Sequence, residues 1–278
     1  MQKTLFLILF ALLSLSIFSQ KSVDQQIESI KKEGVKLYKS EMASWYGTDI
    51  FIEQYQNKEN IGGYLSYSEK DKNICIFYSN SNKPKVIGTI GFDDSFDITK
   101  ANIDLTERAF NSTENQLYIL RKKAQDIIYN DETSFFQHYE NTKFNLIPLI
   151  EKEVSKVYLL TGPSISNVVV FGNDYLLTFN KQNELIDKKA LHKNIIPIEF
   201  GEEGENIEST MHSHLPETGD LMTATDICTL MLYGKFTSWK KHLVVSENYL
   251  NIWNMADDSY HIMTMDAVNK IIEESDEE

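Results

Sequence analysis

From Thr142 to Phe200 the chain is divided into short apolar, aromatic and β-branched segments separated by polar and turn-forming residues. Phe144–Ile150, Lys156–Thr161, Asn167–Phe171, Tyr175–Phe179, Glu184–Lys189 and Ile195–Phe200 are each too short for a stable helix and carry strand-forming side chains. Asn180-Lys181-Gln182-Asn183 is a polar hairpin loop between two of them. A chain written this way buries its apolar surface by lateral pairing, so sheets dominate this half. Further strands are expected at Ser209–His214, His242–Ser246, Tyr249–Asn254 and Tyr260–Thr264, and in the first half at Gly63–Ser68, Asn73–Ser79 and Lys85–Phe92. Helical spacing is confined to Val23–Ala43, Ser112–Tyr129, about Thr223–Trp239 and a short C-terminal segment. Ser22 and Gln25 form a candidate capping box, and Trp45–Asn60 reads as irregular. The expected class is α+β, a mixed or antiparallel sheet with flanking helices. The change of texture near residue 140 divides the chain into residues 20–140, an α+β region, and residues 141–266. Residues 267–278 are left as a short helix and an acidic tail, Glu273–Glu278.

Residues 1–19 have a short positive start at Lys3, an apolar run from Leu5 to Phe18 and a small residue at Ser19. This is the pattern of a cleavable secretory signal, with cleavage expected after Ser19, and the run is too short for a spanning helix. The expected location is therefore periplasmic or extracellular, with no stable membrane insertion after signal cleavage. A net charge of −14 lacks the clustered cations that phosphate binding needs, so nucleic acid is excluded as a partner. Two cysteines are too few for a disulfide scaffold or a cysteine-ligated zinc site. Export would permit Cys75 and Cys228 to pair, but they read as free buried thiols. Asn111-Ser112-Thr113 fits a glycosylation acceptor, of no consequence in a bacterial chain.

The segment Met211–Asp226 bears most directly on chemistry. In a strand, His212 and His214 point to the same side, where two imidazoles can meet one ion. The loop Leu215–Met222 returns the chain, and Asp226 falls in the first turn of the next helix. Two imidazoles, one carboxylate and a water make a tetrahedral Zn²⁺ site with an open position, where bound water is acidified and a carbonyl polarised. Thr223 and Asp226 also read as an ordinary helix start, Thr223 as cap and Asp226 as a charge that favours the helix N-terminus.

This segment resembles the metal motif of the JAB/MPN (JAMM) metallopeptidase family, His-x-His, seven residues, then Ser-x-x-Asp. His212, His214 and Asp226 stand at the ligand positions and Thr223 in place of the serine. Here eight residues separate His214 from Thr223, and the proline after the second histidine comes one place late, as Pro216. The following helix, a strand ending Val244-Val245-Ser246 and a hairpin are similar, as is the upstream strand Lys156–Gly162, and the resemblance covers about Glu151–Thr264. It implies a JAB/MPN-like fold for 141–266 and a zinc-dependent amide or peptide hydrolase. In that reading His212, His214 and Asp226 hold Zn²⁺, Thr223 assists the oxyanion or metal water, and a glutamate acts as general base. Glu153 is the first candidate for that base and Glu151 the second. The substrate would be a peptide or protein, such as a cell-wall crosslink. The alternatives are a non-catalytic secreted binding protein on the same fold, and a structural protein in which the histidine pair is incidental. His192 and His242 read as strand-end residues rather than ligands, and His138 and His261 carry no pattern. The acidic run Glu202, Glu203, Glu205 and Glu208 reads as a solvated loop.

Overall fold

The structure is a computed structural model that describes residues 2–201 and 207–276, with side chains described for 23–201 and 207–275. The class is α+β, as expected, and the strands assort into four sheets. β1 (Ile61–Glu69), β2 (Lys72–Ser79), β3 (Val86–Phe92) and β4 (Asn102–Asp104) form an antiparallel meander. The exposed three-residue β4 has too little apolar patterning to be read from sequence. β5 (Thr142–Ile150), β6 (Ser155–Pro163), β8 (Tyr175–Phe179) and β9 (Leu185–Ala190) form a second antiparallel sheet, while β7 (Val168–Gly172) pairs with β10 (Ile195–Glu199). In the last sheet β11 (Ser209–Ser213) lies parallel to β12 (Lys241–Val245), which continues antiparallel to β13 (Tyr249–Asn254) and β14 (Ser259–Thr264).

Parallel strands need a crossover. Between β11 and β12 this is supplied by α3 (Ala224–Tyr233) and a single 3-10 turn, Gly234–Phe236. The helix expected to reach Trp239 ends earlier, at Gly234. Trp239 instead folds back into a core with Val244 and Trp253. α2 (Ser112–Tyr129) matches its expected span and covers the second sheet through Leu120 and Ala124, against Leu159 and Leu177. α4 (Met265–Asp276) absorbs the start of the expected acidic tail.

α1 (Gln2–Gln54) corrects two expectations. It runs through Ser22, so no helix begins there, and it continues through most of the stretch read as irregular. Tertiary contact drives the extension: Phe51, fully buried, stacks on Phe77 of β2 with ring centroids 4.0 Å apart. The largest core draws on both sides of residue 140. It joins Leu37 and Phe51 of α1 and Phe77 of β2 with Ile147 and Leu160 of the second sheet and Cys228 and Leu232 of α3. Both cysteines are buried and free. Among the described residues no helix is long and apolar enough to cross a membrane. The signal reading of residues 1–19 falls outside the described side chains, and residues 202–206 of the acidic loop lie outside the described residues.

Candidate metal centre

β11 is buried on alternate residues, so Thr210 and His212 face inward. His214 keeps the same parity just past the strand, its N–H donating to the Val245 carbonyl at 2.8 Å. The two imidazoles lie 5.1 Å apart between ring centroids, as strand geometry predicts.

The loop after His214 is fixed from the last sheet. Asn251 Nδ2 donates to the carbonyls of Asp220 and Val244, and the Tyr260 hydroxyl donates to Asn251 Oδ1 while accepting from Met222 N. That places Thr223 at the N-cap of α3, where a capping box forms. The Asp226 N–H donates to Thr223 Oγ1 at 3.1 Å, and Thr223 N and Oγ1 donate to Asp226 Oδ2 at 2.7 and 2.9 Å. Thr223 thus holds the carboxylate that faces the histidines. At Gly34, α1 packs so closely on α3 that an added Cβ would lie 2.7 Å from Ile227 Cβ.

A fourth group arrives from a loop that local spacing could not connect to the others. His192 lies between β9 and β10, not at a strand end with its ring turned away. The carbonyl of Asn194 accepts from Asn173 N at 3.0 Å, and Leu191 N donates to the Asp174 carbonyl at 2.8 Å. Gly172, at φ +84, makes this crossing possible, because a Cβ there would sit 2.2 Å from the Asn194 oxygen. His192 is thereby pressed between two buried carboxylates, with Nε2 3.2 Å from Asp226 Oδ1 and Nδ1 3.7 Å from Asp174 Oδ2.

The result is a buried cluster of His192, His212, His214 and Asp226, each offering one donor atom, all within 4.8 Å of one another. His214 Nε2 lies 3.3 Å from Asp226 Oδ2 and 3.4 Å from His192 Nε2, and His212 Nε2 lies 3.7 Å from Asp226 Oδ1. Two of the converging atoms, His212 Nε2 and Asp226 Oδ1, are buried and make no hydrogen bond. Buried polar atoms are rarely left so, and convergence of unspent donors is what an ion-binding site requires. Three nitrogens and one oxygen suit a divalent transition metal.

Electrostatics distinguish Asp226, His192 and His212. Burial raises the Asp226 carboxyl, but His192 and His214 outweigh it and hold the group well below the usual carboxylate range. Burial lowers His192, yet the adjacent Asp226 and Asp174 carboxylates bring it above the usual imidazole value. His212 is pulled down by burial to about 4, which keeps its ring neutral as a ligand must be. Burial pushes Asp174 up to about 7.

His242, set aside in the sequence, is fully buried on β12 and places Nε2 2.8 Å from His212 Nδ1. Its strand parity with the apolar Val244 was the signal that it points inward. Asp174 and His192 had no comparable local signal. The expected general bases do not join the cluster. Glu153, two residues before β6, is 81% exposed and pairs with Lys181 at 2.9 Å. Glu151 pairs with Lys36 at 3.1 Å.

In comparisons with protein-family models, with curated proteins and with solved structures, no match to the chain is found.

Proposed function

We propose that this is a metal-binding protein whose centre holds Zn²⁺ with four protein donors, the imidazoles of His192, His212 and His214 and the carboxylate of Asp226. One observation carries the reading: these groups, drawn from two loops, a strand and a helix, present donor atoms within 4.8 Å of one another, with two left unbonded in a buried setting. Zinc sites with four protein ligands are typically structural, whereas catalytic ones keep a position for water. His192 takes the position that the His-x-His and Asp motif alone would leave to water. Glu153 and Glu151, the expected general bases, are instead paired with Lys181 and Lys36. The function favoured is therefore a non-catalytic, exported binding protein on a JAB/MPN-like scaffold, with the metal locking β11, α3 and the 191–194 loop together.

A second reading, the zinc-dependent amide or peptide hydrolase, draws on a different observation. A cavity of about 400 Å³ is lined by Leu191, the neighbour of His192, and by Thr223, the cap that holds Asp226, together with Ser29, Glu33 and Tyr158, while the four cluster residues themselves do not line it. In this reading His192 yields its place, bound Zn²⁺ supplies Lewis acidity and acidified water, and Thr223 and a carboxylate of the cavity wall serve the substrate.

Metal analysis and peptide turnover separate the two. Purified protein should hold about one zinc per chain, and its unfolding temperature should rise with added Zn²⁺ by the usual mass-action relation. The zinc-loaded protein and its His192→Ala variant should both leave a peptide library intact. Cleavage by either would establish the hydrolase, and failure of the wild type to retain zinc, cobalt or nickel would end the metal reading.

A further inference from the structure

Thr210, His242 and His212 form a buried chain leading away from the centre. Thr210 and His242 are register partners on β11 and β12. Thr210 Oγ1 lies 2.8 Å from His242 Nδ1, and His242 Nε2 lies 2.8 Å from His212 Nδ1. Phe171 stacks on the His242 ring with centroids 4.5 Å apart and planes 14° from parallel, which fixes the orientation of the imidazole. No carboxylate and no lysine or arginine belongs to the chain, so its ordering rests on neutral hydrogen bonds.

Such a chain has two proton orders. In one, the Thr210 hydroxyl donates to His242 Nδ1, His242 Nε2–H donates to His212 Nδ1, and the proton of His212 sits on Nε2, facing Asp226. In the other, His212 Nδ1–H donates to His242 Nε2, His242 Nδ1–H donates to the Thr210 oxygen, and His212 Nε2 shows a bare lone pair to the cluster. Only the second leaves His212 able to ligate a metal, because a ring nitrogen must be unprotonated to do so. His212 Nε2 is one of the two converging atoms that make no hydrogen bond, consistent with a lone pair held ready.

We propose that Thr210 and His242 are positioning residues that set the tautomer of His212 for metal binding. The proposal rests on the zinc reading above and extends it to residues that touch no metal. A histidine ligand is commonly fixed by a partner on its other nitrogen, and loss of such a partner lowers affinity about 10–100-fold. Here the partner is itself a histidine, and one residue further out a hydroxyl supplies the acceptor that the His242 Nδ1 proton needs in the metal-binding order.

Thr210 is the position to test, since Thr→Val preserves its shape and Thr→Ser preserves its hydroxyl. Zn²⁺ affinity would be measured by competition with a chromophoric chelator. Thr210→Val should weaken binding about 10-fold, and Thr210→Ser should bind as the wild type does. Ring-nitrogen NMR of the zinc-loaded wild type should place the His242 proton on Nδ1. Equal affinity in wild type and Thr210→Val, equal weakening in both variants, or a His242 proton on Nε2 would overturn the proposal while leaving zinc binding intact. A wild type that binds no Zn²⁺ would overturn both this proposal and the reading beneath it.

Discussion

Two buried carboxylates in this molecule occupy the same local motif and meet different fates. Glu114 in α2 and Asp226 in α3 are each the third residue of a helix closed by a capping box, with Asn111 and Thr223 as the caps. Around Glu114 every oxygen is spent. Arg108 donates to both at 2.7 and 2.8 Å, Tyr67 donates to Oε1 at 3.0 Å and Asn111 N to Oε2 at 2.8 Å. Around Asp226 only Oδ2 is engaged by the cap, and Oδ1 faces the imidazoles of His192 and His212 at 3.2 and 3.7 Å without a hydrogen bond. A cap with a cation and full hydrogen bonding is a structural device. A cap that turns an unspent oxygen toward an unspent imidazole nitrogen is a candidate metal site. The residue pattern of a capping box does not distinguish them, but the hydrogen bonding around each carboxylate does.

Paired substitutions should break this comparison first. Asp226→Asn keeps the cap but removes the charge, and Zn²⁺ affinity should fall by about 100-fold or more, since metal ligands must be ionised carboxylate or neutral imidazole. Glu114→Gln should leave zinc affinity unchanged yet lower folding stability by about 3 kcal/mol, because Arg108 loses its buried partner. Chelator competition and denaturant unfolding on both variants would show the crossed pattern. A loss of zinc in Glu114→Gln would end the distinction between the two sites.

A smaller effect tests how α1 supports the centre. Gly34→Ala puts a methyl 2.7 Å from Ile227 Cβ, beside the first turn of α3. Overpacking of this kind costs about 1–3 kcal/mol, partly offset by the better helix propensity of alanine. Thermal unfolding should register the loss, and zinc affinity should weaken with it. Unchanged affinity would mean that α3 is held by the sheet alone.

Glu41 sharpens the comparison from a third side, since it has neither the two-pronged arginine pair of Glu114 nor the histidines of Asp226. Burial pushes its carboxyl up to about 7, opposed by Arg121 and by the 3.0 Å bond from Asn145. The folded state therefore binds the proton more tightly than the unfolded one. Its contribution is fully present below the unfolded value near 4.5 and is lost as pH rises to about 7. Glu41→Gln should gain about 1–2 kcal/mol on wild type between pH 5 and pH 8, after screening of a half-buried group. A flat difference across that range would show the site to be solvated. The smallest effect belongs to Glu153→Gln. It breaks only an exposed pair with Lys181 and should change stability by less than about 0.5 kcal/mol, with zinc affinity untouched. A loss of zinc there would place the carboxylate at the centre after all.

What the sequence determined by itself is what short-range periodicity can carry. Strand parity put His212 and His214 on one face, and the Thr223–Asp226 cap put a carboxylate at the start of the next helix. The alternation of short strands with few helices gave the α+β class. Each depends only on neighbours along the chain, where backbone geometry fixes direction. Tertiary structure decided the rest. His192 and Asp174 reach the centre because Gly172 lets two loops cross within hydrogen-bonding distance. His242 could be read as inward from its parity with Val244, but the strand facing it came only from the parallel pairing of β11 and β12. α1 outlasts its own amphipathic pattern because Phe51 finds Phe77 across the core. Glu153 stays in solvent, paired with Lys181. Ligand count depends on loops that meet across many residues of separation. The fourth candidate ligand, His192, therefore became visible only in three dimensions.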